Sequence, residues 1–470
     1  MHTLTLHRLG LFLAALALAA CTQVPPLPDA QLGGIERFRQ APSDRTAQAL
    51  TVDPSLSRDT WPWWTVLKDP VLNRLQDELL QASPSLQVLA AQTRQAQAAL
   101  MAAQASLWPS LNLNAGVTRS ANQLAAVQGT SYSLSTPLTW QIDLWGQLDA
   151  QVQAALSALE ATREDWAAGR RAAQSTLVQT YVSLRTAERQ HDALHRAEQA
   201  YQKSLDLTLT RHAAGVASGG DVEQARNQLA STRAQRIDMQ TQVAQLQHAI
   251  AVLLGQAPAQ LQVPALSEAA LKQGTAEPPD LPANIPANLL EQRPDLQAAK
   301  RRFEAANAQI GVAQAAFFPS VNFNLSAGYR SRELSNLVNT GNQFWSVGPG
   351  VALNLLDFGQ RRAARDQAVA ARDVALANYR QAVLTAYQQV EDNLVAVVQL
   401  KQQEEAQRQA WQAAQRNLDL TQAQYVSGTV SYLNVVTAQT AALTAERTWL
   451  DVQSRRWLAT NTLMAAGLQF

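Results

Sequence analysis

The chain is written twice, and that duplication limits its fold more than any other feature. Pro84-Ser85-Leu86 opens a helical stretch ending at Trp108-Pro109-Ser110, and Pro294-Asp295-Leu296 opens another ending at Phe318-Pro319-Ser320, an offset of 210 residues. Farther on, Asp143-Leu144-Trp145-Gly146-Gln147 is matched by Leu356-Asp357-Phe358-Gly359-Gln360 at an offset of 213. Gly215, Ser218 and Asp221 are matched at that same offset by Gly428, Ser431 and Asn434. The reading is therefore repeat 1 over 70–255 and repeat 2 over 285–470, joined by a Pro-rich connector, 256–284, that holds Pro258, Pro264, Pro278, Pro279 and Pro282.

Each copy carries the same elements in the same order. A long Ala-rich helix comes first, ended by a proline that cannot continue it. Two strands follow, as a hairpin over 109–143 in the first copy and 319–356 in the second. Leu111, Leu113, Ala115 and Val117 alternate with polar residues, as do Val321, Phe323, Leu325, Ala327 and Tyr329. The return strands keep the period, with Tyr132, Leu134, Thr136, Leu138, Trp140 and Ile142 against Trp345, Val347, Pro349, Val351, Leu353 and Leu355. A period of two means one apolar face and one polar face. A strand of ten residues tilted by roughly 40° rises about 25 Å, the height of an outer-membrane apolar band. Trp108 with Trp145, and Phe317 and Phe318 with Phe358, fall where each hairpin would leave lipid, as an interfacial aromatic girdle does.

Behind each hairpin a glycine releases the chain into a very long helix. Gln360 to Ser427 contains no Gly or Pro, and Gln147 to Ala214 contains only Gly169. At about 1.5 Å per residue each would run roughly 100 Å, a length that implies a coiled coil. Val383, Val390 and Val397 stand seven apart, with Tyr387 and Leu394 at the next heptad position. Gly215 and Gly428 end these helices, Ser218 and Ser431 occupy N-cap positions, and a second helix returns over about 221–254 and 434–466.

The N-terminus supplies an address. Arg8 precedes the apolar run Leu9 to Ala20, too short for a membrane-spanning helix and right for a signal peptide, residues 1–20. Leu18-Ala19-Ala20-Cys21 resembles the bacterial lipobox, so a covalent lipid on Cys21 is expected, followed by a lipidated tether over 21–69 rich in proline. Thr22 stands where an aspartate would retain a lipoprotein in the inner membrane. Cys21 is the sole cysteine of the 470 residues, which rules out an intrachain disulfide and a multi-cysteine metal site. A formal net charge of +1 gives no field to recruit nucleic acid. His191 and His195 stand four apart on a helix, yet two histidines on a solvated face read as surface residues; no metal, cofactor or catalytic constellation is expected. Phe470 resembles the terminal aromatic of many barrel proteins but follows a helix.

Four strands cannot close a barrel, and an open edge in lipid leaves backbone groups unpaired at several kcal/mol each. Three copies would supply about twelve strands, within the observed range. The whole pattern resembles the outer membrane factor family of TolC-like efflux ducts, in its lipoprotein branch resembling OprM and NodT. The lipobox, Leu289-Leu290-Glu291-Gln292-Arg293-Pro294-Asp295-Leu296, the paired Pro-Ser strand entries and the Gly-centred hairpins carry it. The resemblance implies a homotrimer in the outer membrane, with a twelve-stranded barrel and a periplasmic helical tunnel. It implies no enzyme activity, and as partners a periplasmic adaptor and an inner-membrane pump. The rival reading, a periplasmic coiled-coil scaffolding lipoprotein, accounts for the helices but not for four alternating strands.

The resemblance also implies a gate at the hairpin tips. Acidic positions of the family motif fall on Asn434 and Thr437, and a tip arginine of some relatives falls on Val430. Asp221 alone keeps a matching acid, with helix capping as its simpler role. The expected gate is neutral and largely apolar, with Leu433 and Tyr432 forming the constriction.

Overall fold

The computed structural model describes residues 24–28, 62–122, 127–273, 277–279, 290 and 292–467. The signal peptide, Cys21, most of the tether and Phe470 lie outside them. The helices are α1 (Pro70–Ala82), α2 (Pro84–Ala105), α3 (Gln147–Ala213), α4 (Gly219–Leu253), α5 (Glu268–Gln273), α6 (Pro294–Ala315), α7 (Gln360–Val426) and α8 (Tyr432–Ala465). The strands are β1 (Ser110–Leu111), β2 (Asn114–Asn122), β3 (Val127–Ile142), β4 (Ser320–Ser331) and β5 (Gln343–Ala352). Both long helices run 67 residues without a break, α3 passing through Gly169. The return helices α4 and α8 begin at Gly219 and Tyr432, slightly earlier than the sequence indicates.

The chain divides into two compact units, and neither coincides with a repeat. One takes the described residues of 91–165 and 295–382 together with 24–28; it contains the whole sheet. The strand order is β1–β3–β4–β5, with β2 also on β3, and every pairing is antiparallel. The two hairpins thus join into one sheet through β3 and β4, the last strand of copy 1 and the first of copy 2.

Two details of the strands depart from the alternation pattern. Asn112 and Leu113 fall in a gap between β1 and β2. Their partner stretch contains Pro137, whose carbonyl accepts from Asn112 N–H at 2.9 Å. Proline has no N–H to return, so the ladder cannot close there. Pairing resumes beyond it in unbroken register, Asn114 opposite Ser135. At the other edge β5 stops at Ala352, leaving Leu353 and Leu355 outside the ladder, because β4 begins only at Ser320, opposite Ala352.

The second unit holds a conventional core. Trp63 and Trp64 pack with Leu72, Leu75 and Leu79 of α1 against Leu177 and Tyr181 of α3, Ile250 of α4 and Trp457 of α8. Buried polar links cross it: Trp63 Nε1 donates to Asn461 Oδ1 at 3.0 Å, and Asn461 Nδ2 donates to Ser175 Oγ at 2.8 Å. The buried Arg185 donates to Glu188 Oε2 and to the Pro264 carbonyl, both at 2.8 Å. Unpaired, such a buried charge would cost several kcal/mol.

Candidate functional site

In the rows nearest the long helices the sheet sorts its side chains strictly by face. Leu111 lies opposite Leu138, Leu138 opposite Leu325, and Leu325 opposite Val347. Trp140, Phe323 and Pro349 form a second row, and Ile142, Val321 and Val351 a third. The intervening rows are polar or small: Thr139, Asn324 and Gly348, then Gln141, Asn322 and Gly350. Toward the far end the sorting loosens. Phe344 falls on the polar face opposite Gly328, where the Arg330 guanidinium lies 5.1 Å from its ring centre.

Among the described residues no packed core covers the apolar rows. Leu113 is 71% exposed, Trp345 77% and Val351 69%. A water-facing sheet would not sustain so large an apolar patch. Among the described residues no helix is long and apolar enough to cross a membrane.

The aromatic ends of the hairpins pair differently from the sequence expectation. Trp145 stacks on Phe318 with ring centroids 4.9 Å apart, and its Nε1 donates to the Pro319 carbonyl at 2.6 Å. Trp108 and Phe358 are instead exposed, Phe358 almost fully. Copy 1 is thereby clamped to the foot of copy 2, and the two outlying aromatics remain available to a membrane interface. Trp140 Nε1 finds the Leu107 carbonyl at 2.9 Å, so its ring stays apolar toward the outside. Beneath each hairpin an aspartate caps the long helix. Asp143 accepts from Gln147 and Asp149 N–H, and Asp357 accepts from Gly359 and Arg361 N–H. Hydrogen bonding from the Arg361 side chain holds the Asp357 carboxyl below the usual range.

The hairpin tips belong to the other compact unit. Both long helices end in the same C-cap, with Gly215 at φ 76 and Gly428 at φ 81. That left-handed conformation disfavours any other residue. Val216 N–H reaches back to the Arg211 carbonyl at 2.9 Å, and Thr429 N–H to the Gln424 carbonyl at 3.0 Å. The two tips pack on each other through Leu205, Val222, Ala225, Tyr425, Tyr432 and Val435. Tyr425 and Tyr432 meet edge to face at 5.3 Å, and burial raises the Tyr432 hydroxyl pKa.

This packing separates the expected gate residues. Tyr432 is 1% exposed, so it acts as a wedge between the hairpins and does not itself project. Leu433, beside it, is 55% exposed. Asn434 and Thr437 are exposed as well, the Thr437 hydroxyl donating to the Leu433 carbonyl at 2.9 Å. Asp221 forms a reciprocal capping box with Ser218, an arrangement that satisfies two helix-end donors at once. The Asp221 N–H donates to Ser218 Oγ at 3.1 Å, and the Ser218 N–H donates to Asp221 Oδ2 at 2.9 Å. Ser431 holds the corresponding position without a side-chain cap bond, since the Asn434 N–H meets its backbone carbonyl instead.

Sequence reasoning missed Arg211. Its Nη1 donates at 2.9 Å to the carbonyl of Val426, the last residue of α7, and its guanidinium lies 4.8 Å from the Tyr425 ring centre. That is within reach of a cation–π contact. The repeat gives no signal for it, because Gln424 stands at the matching place in copy 2. His195 meets the Gln199 amide at 3.0 Å, an ordinary surface contact one helical turn along.

Comparison with known proteins agrees with this geometry. Residues 75–256 and 285–467 both match the family described as outer membrane efflux protein, one match per repeat. The chain is 30% identical to the toluene efflux pump outer membrane protein TtgF of Pseudomonas putida, across 95% of this chain and 93% of that one. It is 29% identical to the probable outer membrane lipoprotein SilC of Salmonella typhimurium, across 96% and 95%. Among solved structures, the outer-membrane channel OprN superposes with a TM-score of 0.84 at 26% identity, over 95% of this chain and 99% of that chain.

Proposed function

We propose how this chain builds its duct from a premise that is now plain: it belongs to the outer membrane efflux protein family. It is an outer-membrane channel component of an efflux system. Three copies close one barrel. The observation that carries this is the sheet itself, with an apolar face continuous across β1, β3, β4 and β5 and, among the described residues, two edges, β1 with β2 on one side and β5 on the other, that pair only inward. In lipid those edges must be paired, and a second and third copy of the same sheet supply the partners. The helices α3, α4, α7 and α8 of the three chains line a tunnel, and a lipid on Cys21 adds a second hold on the membrane.

The duct has no energy source of its own, so a periplasmic adaptor and an inner-membrane pump deliver substrate to it. Its gate is neutral. Leu433 narrows the passage, Tyr432 braces it from behind, and Asn434 and Thr437 add dipoles where carboxylates would concentrate cations. Asp221 is held by its capping bonds. Carboxylates confined in a narrow neck are poorly screened and raise the local cation concentration strongly. Reversal potential across a planar bilayer under a salt gradient tests this. Weak cation preference is expected, rising clearly in Thr437→Asp. Strong preference in the unmodified protein, unchanged in Asp221→Asn, would place the gate elsewhere.

A further inference from the structure

Among the described residues, only one of the two repeats has a place for the start of the mature chain. Val24 and Pro25 lie against α6, in the same compact unit. Asn307, 2% exposed, donates from Nδ2 to the Pro25 carbonyl at 2.6 Å. One turn on, Gly311 leaves just enough room. A Cβ there would stand 3.2 Å from Val24 Cγ2, 3.2 Å from Ala150 Cβ on α3 and 3.8 Å from Val24 Cα. Glycine inside a helix is unfavourable relative to alanine, so its presence marks a close approach that a side chain would crowd. Among the described residues Asn307 Oδ1 is buried without a hydrogen-bond partner. Pro25 and Pro26 have no N–H to give it. The segment Val24-Pro25-Pro26-Leu27-Pro28 is stiffened by three prolines, which lowers the entropy lost on docking.

The matching helix of copy 1 lacks this notch. At the 210-residue offset Gln97 stands for Asn307 and Met101 for Gly311, and both are exposed. Geometry and asymmetry together point to a purpose. We infer that Asn307 and Gly311 form a receptor for the mature N-terminus, which holds the lipid-bearing Cys21 at the foot of the barrel. Cys21 is three residues from Val24. A chain of that length reaches at most about 11 Å. The four residues from Gly311 to the end of α6 add only about 6 Å of helix. Strand β4 then begins at Ser320, just beyond Pro319. The acyl chains and the apolar rows of the sheet thus enter the same leaflet, and the strap fixes the level at which they do so. This placement rests on the lipoprotein reading of Cys21; the docking itself does not.

A disulfide reads the contact directly. The Gly311 Cβ position and Val24 lie within the range a disulfide spans. In the full-length protein in membranes, Val24→Cys with Gly311→Cys should cross-link within one chain under mild oxidation, while Val24→Cys with Met101→Cys should not. Equal cross-linking in both pairs, or none in the first, overturns the receptor. Thiol counting after denaturation and reduction separates the two readings. Two thiols mean that Cys21 is acylated, and three mean that it is not, whichever way the cross-link falls. Because Gly311→Cys adds a Cβ and an Sγ to a tight contact, Asn307→Ala gives an independent check. With Pro25→Cys present, which keeps the carbonyl that Asn307 reaches, and Cys21 intact, it should speed maleimide labelling at the half-buried position 25 about fivefold, the weight of one net hydrogen bond. An unchanged rate overturns the proposal.

Discussion

The two repeats have nearly the same backbone and divide the work between them. Their long helices are equal at 67 residues, and both end in a glycine C-cap. Side chains then diverge wherever the copies meet a boundary. At the tips, copy 1 has Gly219 and Gly220 where copy 2 has Tyr432 and Leu433. Copy 1 supplies the capping carboxylate Asp221 and the tie from Arg211, and copy 2 supplies the bulk. At the hairpin foot, Trp145 is stacked while its counterpart Phe358 is 93% exposed and left-handed at φ 49. Along the first helix, Asn307 and Gly311 of α6 meet Pro25 and Val24, while the matching Gln97 and Met101 of α2 are exposed. Duplication fixes the path of the chain, and function is written in the places where the copies no longer match.

The largest effect is expected at the seam where the two copies join. Leu134 and Leu325 sit on β3 and β4, each paired on both sides. Proline at either removes a ladder donor and leaves its partner carbonyl unpaired, at about 1–3 kcal/mol per group, so both variants lose the trimer band on an unboiled gel. If either is tolerated, the ladder through β3 and β4 is not what holds the barrel together. A middle-sized effect should fall on copy 1 alone. Arg211→Ala removes a charge-assisted bond worth about 1–2 kcal/mol and should raise the open probability in bilayers, whereas Gln424→Ala should leave it unchanged. The smallest concerns the caps: Ser218→Ala should cost about 1 kcal/mol in denaturant unfolding, and Ser431→Ala almost nothing. Equal losses would mean that the tip caps are not asymmetric.

Most of this architecture was legible because it is periodic. The alternation at Leu111 and Ala115, Leu134 and Leu138, and Val321 and Leu325 names one face of a sheet, and the observed register puts these residues together. Breaks in periodicity were less legible. Nothing in the run around Asn112 shows that Pro137, on another strand, opens a gap there. The site was readable in part. Leu433 is exposed, but Tyr432 is drawn inward by Tyr425 and Val222, contacts that spacing along the chain does not encode. Arg211, Asn307 and Gly311 lie outside every repeat match for the same reason. The partners of Arg211 and Asn307 stand 215 and 282 positions away.

The central claim is that the sheet is one third of a barrel. Sedimentation of the detergent-purified full-length protein, with bound detergent accounted for, tests it most directly. Three chains per folded particle is the predicted result, with no folded monomer at any concentration sampled. A monomer that is folded, remains membrane-inserted on reconstitution and keeps both sheet edges unpaired would contradict it.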